Sequence, residues 1–187
     1  PRPGPNEWHK YGRQQALTAF ENRPKIVVGV NSLGEKYVYD DEDVILASGG
    51  TAGEVAISKY IEPELDNAYS LYFILAILNH KAIEYFCRKR GSTFRGGWYA
   101  RGTAVLYDIP IPIIDFENEN PRLRIYHQIV KDTKNILEIN RSLVTSTNPR
   151  DQLSGTRRVN QLKKRIDSNI SKLYSIENII EAVELPS

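Results

Sequence analysis

The chain has 187 residues, with 25 lysines and arginines against 23 aspartates and glutamates, for a net charge of +2. That length suits one sizeable domain or one domain plus an appendage, and the near balance of charge makes any basic footprint local. One cysteine, Cys87, excludes an intramolecular disulfide and fits a reducing, cytoplasmic compartment. No apolar run approaches the roughly 18 residues of a membrane span. The start, PRPGPNEW, has no signal-peptide pattern. This start and the absence of methionine lead to the expectation of a fragment excised from a longer protein.

In chain order, Pro24–Val30 predicts a short buried strand before a Gly/Asn turn, and Lys36–Asp40 an alternating strand ending in an acidic turn. Val44–Ala47 is a third strand candidate and Val55–Ile61 a fourth, with the glycine loop Ser48–Gly53 between them. Asn67–Cys87 predicts a helix, because Leu71, Ile74, Leu75, Leu78, Ala82 and Tyr85 recur at helical spacing, with Asn79 as a candidate break. Val105–Tyr107 and Ile109–Ile114 read as extended, and Pro110 and Pro112 favour a sheet edge there. After Pro121 two amphipathic patterns follow, joined by a polar loop over Thr145–Gly155, which predicts an antiparallel helical hairpin. Asn140 and Asn169 fall at core-type positions of that hairpin, and Ser175 is a candidate N-cap for a last helix over Ile176–Val183.

Little in the sequence suggests chemistry. His9, His80 and His127 are scattered, and one cysteine makes no zinc cluster. Cys87 reads as a buried thiol rather than a nucleophile. Asp40–Asp43 lacks the glycine and distal glutamate of a calcium loop and reads as a solvated turn. Ser48–Gly53 lacks the Gly-Lys-Ser/Thr ending of a phosphate-binding loop. Asn148-Pro149-Arg150-Asp151 lacks the Pro-aromatic pair that amino-methyltransferases use to hold a flipped base. No glycine fingerprint for S-adenosylmethionine or a dinucleotide occurs, so no catalytic residue, metal or cofactor is assigned to this segment.

The informative stretch is Leu78–Pro112. Lys81, Arg88, Lys89, Arg90, Arg95 and Arg101 cluster there, opposed by Glu84 and interleaved with Tyr85, Phe86, Phe94, Trp98 and Tyr99, with glycines at 91, 96, 97 and 102. Arginine and lysine neutralise phosphates, arginine also forks onto guanine, and glycine permits close backbone approach. The competing reading is a cationic helix end and a glycine turn on an ordinary surface.

Four segments in order resemble a known family. They are Trp8-His9-Lys10-Tyr11-Gly12-Arg13-Gln14-Gln15, Arg23–Val28, Tyr72–Lys81, and Arg95-Gly96-Gly97-Trp98-Tyr99 leading to Ile109-Pro110-Ile111-Pro112. Together they resemble the C-terminal specificity, or target-recognition, domain of adenine-specific DNA methyltransferases of the TaqI-like and fused type IIG restriction-modification groups. The ending from Ile166 to Ile180 is similar too. The resemblance implies a partner catalytic methyltransferase domain outside this segment, which would bind S-adenosylmethionine and flip the adenine. The present part would grip double-stranded DNA and choose its sequence.

The expected fold is α+β: a mostly antiparallel, β-rich recognition domain over residues 1–114 with one long helix, then a helical appendage over 115–187. The expected DNA-contacting residues are Arg88, Lys89, Arg90, Arg95 and Arg101, with Trp98 and Tyr99, which suit packing against the sheet better than base stacking. Lys10, Arg13 and Gln14 join them from the opening segment; Arg13 suits a phosphate and a core carboxylate equally. Arg157, Arg158, Lys163, Lys164 and Arg165 form a second basic group on the hairpin; such an outer face is most often solubilising, and the alternative is a DNA-backbone role for Arg157 and Arg158. The rival reading is a protein-interaction module that docks a partner through the hairpin, without specific DNA binding.

Overall fold

The computed structural model describes residues 24–29, 31–32, 37–42, 54–58, 69–93 and 98–176. Its centre is β1 (Lys25–Gly29), flanked on both sides by antiparallel partners, β3 (Tyr37–Asp40) and β4 (Glu54–Ser58). The KIVVG sequence suits this central place, since Ile26 and Val28 are fully buried and β-branched side chains fill a pleated surface well. Lys25 stands opposite Asp40 in the register and their side chains form a buried ion pair at 2.6 Å. Asp40 is therefore an inward partner, not part of a solvated turn. A second, two-stranded sheet pairs β2 (Asn31–Ser32) with β5 (Tyr99–Ala100). The candidate strand at 44–47, the loop at 48–53 and the segment after 176 lie outside the described residues.

The predicted long helix is two helices, α1 (Leu71–Leu78) and α2 (Lys81–Arg90). Ser70 caps α1 by accepting from the Tyr72 N–H, and LYFILAIL is apolar on nearly every face because α1 runs through the core. Asn79 makes the break. Its amide donates to the Leu75 carbonyl at 3.1 Å and to the Tyr37 carbonyl of β3 at 3.2 Å, fastening the helix end to the sheet. His80 starts α2, its Nδ1 accepting from the Ala82 N–H at 3.2 Å.

The segment Val105–Tyr107, expected to be extended, belongs instead to a short helix, α3 (Thr103–Tyr107). Residues 109–114 then run without regular structure and form no sheet edge, contrary to expectation, while their prolines exclude a helix. Tyr69 fixes this run. Its hydroxyl donates to the Pro112 carbonyl at 2.9 Å and accepts from the Ile114 N–H at 3.0 Å. Its ring belongs to an aromatic cluster with Phe73, Phe116 and Tyr126, centroids 4.8–6.2 Å apart. Such pairs each add about 0.5–1.5 kcal/mol beyond the area they bury.

The hairpin is α4 (Pro121–Thr145) and α5 (Pro149–Tyr174). Its loop is only Ser146–Asn148, much shorter than the predicted Thr145–Gly155. Asn148 caps α5 through the Arg150 N–H and Pro149 takes the first turn, so turn-like residues begin a helix here. Gly155 lies inside α5 at the crossing with α4, where a Cβ would stand 2.6 Å from the Leu143 side chain unless that side chain shifted. Ser175 ends α5 in a left-handed conformation, φ 55°, and so acts as a C-cap. Asn140 is exposed; the charged group buried on the hairpin among the described residues is Asp132, paired with Arg165 at 2.5 Å and bonded by Gln128 at 2.8 Å. Burial is uneven along the arm: fully buried side chains reach no further than Thr133 on α4 and start only at Val159 on α5, with Ile136 and Leu137 partly buried beyond.

One apolar cluster joins the sheet, α1, α2 and the proximal hairpin. The architecture is mixed α+β, but among the described residues helices outweigh a small antiparallel sheet, so the expected β-rich character is not found there. The strands are short and the core is supplied chiefly by α1, α4 and α5.

His80 is 2% exposed, and burial lowers its pKa from the usual 6.5, although the Asp167 carboxylate and backbone pull the other way and Lys81 adds to the lowering. The cap needs an unprotonated Nδ1. Below pH 6.5 the unfolded chain takes the proton first, so stability contributed by His80 is lost as pH falls below that value. Asp167 has its carboxyl raised by burial and acts in the opposite sense in the carboxylate range. Thermal melts from pH 7.5 to 5.5 should show a falling Tm in the wild type and a flatter profile in His80→Asn, which keeps a capping side chain.

Candidate nucleic-acid interface

Arg88, Lys89 and Arg90 occupy the last turn of α2, where cations are favoured by the helix dipole. Behind them Glu84, 2% exposed, gathers a hydrogen-bonded cluster. Its Oε1 accepts from the Tyr99 hydroxyl and from Arg88 Nε at 3.0 Å, one helical turn away; its Oε2 accepts from Arg101 at 2.5 Å. Arg101 also donates to the Tyr99 hydroxyl, so Tyr99 passes a hydrogen bond between guanidinium and carboxylate.

Arg101 is 0% exposed. Taking a guanidinium out of water costs several kcal/mol unless it is paired and bonded. Glu84 supplies the opposite charge, and the Tyr99 and Tyr37 rings lie 4.6 and 5.3 Å from the guanidinium carbon. Burial leads the rise of the Tyr99 phenol to about 12, with its bond to Glu84 adding to the effect, so it stays a neutral donor. Burial likewise raises the Cys87 thiol, whose sulfur meets the Tyr37 hydroxyl at 3.6 Å. The expectation of a structural, unreactive cysteine agrees with this setting.

This cluster lies under the base of a loop. The Gly91 N–H donates to the Cys87 carbonyl at 2.7 Å, the Ala100 N–H to the Ser92 carbonyl at 2.9 Å, and Thr93 bridges antiparallel to Tyr99. Both ends of the loop are thereby held while β5 ties it to β2. Gly91 is required by close approach: a Cβ would stand 2.2 Å from the Ala100 carbonyl oxygen and 2.9 Å from that of Cys87.

The residues singled out in the sequence therefore divide. Lys89 is exposed, above the Tyr85 ring at 5.4 Å, and Arg90 is 58% exposed and paired with Asp108. Arg88 is 30% exposed and Trp98 44%. Tyr99 and Arg101 lie inside, against Glu84. Arg95, Lys10, Arg13 and Gln14 are outside the described residues. In the sequence Glu84 stands out only as the lone acid in a cationic run; the structure makes it an anchor. The signal for that role is its i,i+4 spacing to Arg88.

A separate groove of about 460 Å³ lies between β3, α1 and the hairpin, with Lys81, Asn140, Lys163 and Asp167 on its walls. Among the described residues no group of three histidine, cysteine, aspartate or glutamate side chains is placed to hold a metal. No described helix is long and apolar enough to cross a membrane.

No protein-family model matches the chain. It is similar to a type II restriction enzyme and methyltransferase, RM.Eco57I of Escherichia coli, with 36% identity over 176 residues. That likeness links the chain to restriction-modification proteins. The aligned region covers 94% of this chain, which spans only 17% of the length of that relative.

Two substitutions test the anchoring. Glu84→Ala leaves Arg101 buried without its carboxylate and should cost about 3–5 kcal/mol, read by urea unfolding. Gly91→Ala forces backbone apart and should cost about 1–3 kcal/mol. Unchanged unfolding midpoints would show that the loop base is not held in this way.

Proposed function

We propose that this chain is the duplex-DNA recognition segment of a restriction-modification enzyme, belonging to the adenine-specific, TaqI-like or type IIG group that its motifs resemble. The observation that carries the reading is the α2–β5 corner. There, exposed Lys89, Arg90 and Trp98 and half-exposed Arg88 surround a loop whose base is fixed by a buried Glu84–Tyr99–Arg101 cluster. Sequence reading needs side chains held in register against base edges, and a loop tied at both ends supplies that at low entropic cost. The likeness to a restriction enzyme and methyltransferase supports the same reading.

In this proposal Arg95 meets base edges, Lys89 and Arg90 meet phosphates, and Tyr99 and Arg101 hold the base of the loop from within. Lys10, Arg13 and Gln14 remain candidate contacts from the opening segment. Methyl transfer belongs to a catalytic domain elsewhere in the parent, which would hold S-adenosylmethionine. Cleavage, if the parent performs it, is also outside this segment. A cytoplasmic location follows from such a role.

A second reading, a helical module that docks a partner protein, is favoured by Val144 (87% exposed) and Leu153 (54% exposed) near the end of the hairpin.

Selection from a randomised duplex pool at two salt concentrations separates the two. One short motif enriched at physiological salt is expected. Arg95→Glu should then weaken binding to that motif by about 10- to 100-fold, as removing a bidentate bond to a base does. Binding that enriches nothing and vanishes with salt would refute sequence recognition by this chain.

A further inference from the structure

The distal half of the hairpin is basic and carries little of the core. Arg150, Arg157 and Arg158 are exposed on α5. Among the described residues none of the three has a carboxylate within ion-pair distance, a state they share with Arg122 and Arg124, whereas Arg88, Arg90, Arg101, Arg141 and Arg165 each do. Together with Leu153, Ser154 and Gln161 they line an open concavity of about 380 Å³. Arg150, Ser154, Arg157 and Gln161 follow helical spacing along one face of α5. From Arg150 to Arg158 the helix rises about 12 Å. The positive end of the α5 dipole adds to Arg150, partly offset by Asp151 in the first turn.

These features select a phosphate backbone over a protein surface. Guanidinium forks and neutral hydroxyl and amide donors are the groups that hold phosphate oxygens. The concavity offers one apolar side chain, Leu153, and none of the aromatic anchors that dominate protein interfaces. Position argues likewise. The Tyr174 hydroxyl donates to the Pro110 carbonyl at 2.5 Å, two residues beyond Asp108, the partner of Arg90. The C-terminal end of α5 is thereby fastened close in sequence to the α2 corner. Arg158 and Arg150 lie roughly 24 and 36 Å back along the helix from Tyr174. One turn of duplex DNA is about 34–36 Å.

We infer that the distal face of α5 is a second, sequence-independent contact to the backbone of duplex DNA, about one helical turn from the recognition corner. It rests on the recognition reading above and adds to it an arm that grips without reading.

The test uses the 187-residue chain, the duplex enriched from the random pool and a scrambled duplex of equal length. The triple variant Arg150→Gln, Arg157→Gln, Arg158→Gln changes only exposed side chains, and circular dichroism melts establish that it folds. Its affinity should fall at least tenfold for both duplexes at low salt, leaving their ratio and the enriched motif unchanged. The log–log salt slope should shrink by about one for each phosphate that is no longer neutralised. Hydroxyl-radical footprints should lose protection about one turn from the motif and keep it at the motif. Wild-type affinity, slope and footprint in the triple variant overturn the inference while leaving the recognition reading intact. So does loss of binding to single-stranded RNA or to an acidic protein with duplex binding unchanged. A wild-type chain that binds duplex but enriches no motif refutes sequence reading alone, and the slope comparison still decides the arm. A wild-type chain that binds no duplex overturns both.

Discussion

A single buried carboxylate organises the part of this molecule that matters most for its proposed role. Glu84 receives bonds from α2, through Arg88, and from the far end of the loop, through Tyr99 and Arg101. The interaction is not a general source of stability, since buried ion pairs often do no better than apolar side chains of equal volume. Its value lies in specificity of arrangement. A guanidinium enclosed by two tyrosine rings has one acceptable geometry, and that geometry brings residues 92 and 100 within hydrogen-bonding distance. The flanking cations then stand on a fixed platform.

The platform is in turn held by helices. α1 fills the space between the sheet and α4, Asn79 ties its end to β3, and Tyr126 of α4 accepts from the Ser70 N–H at 2.9 Å. Polar side chains thus fasten the joints between apolar surfaces. Lys25–Asp40 between strands, Asp132–Arg165 between helices and Arg141–Asp41 between arm and sheet serve the same purpose at different exposures. The exposed Arg141–Asp41 pair contributes little, by the general weakness of solvated ion pairs; Lys25–Asp40, buried on both sides, fixes register, and Arg165 reaches in from the surface to satisfy the buried Asp132.

Much of the scaffold is legible in the sequence. β-branched residues mark β1, alternation marks β3, and period-3.6 patterns mark both hairpin helices. Asn79 is visible as a break because it interrupts an apolar run. The errors have physical causes. Residues 145–155 read as loop because Asn, Pro, Ser and Gly favour turns, yet Asn148 and Pro149 are equally a helix start and Gly155 sits within α5 against the Leu143 side chain. Val105 suggests a strand, but five residues between Gly102 and Asp108 close into a helix. The cationic run is legible; which of its members face inward is not. Arg101 is buried because Glu84, 17 residues earlier, lies against it, and pairing across that distance leaves no local mark. Asp132 and Arg165 are hidden similarly, 33 residues apart.

The uneven burial of the hairpin also sets how it breathes. Between Thr133 and Val159 no side chain of either helix is fully enclosed, so the distal turns rest on their own hydrogen bonds, on the Gln152 bonds to the Leu143 and Ser146 carbonyls and on partly buried contacts such as Leu143 against Gly155. Isolated helical turns are marginal in water. Amide exchange in this arm should therefore proceed by local opening, well before the global unfolding that governs the proximal turns around Ile129 and Ile170. Any ligand gripping the tip must also supply the free energy of stilling it, and its affinity will carry that conformational cost. The arm is a unit of lower stability joined to a rigid body, and its occupancy will register as slowed exchange far from the loop.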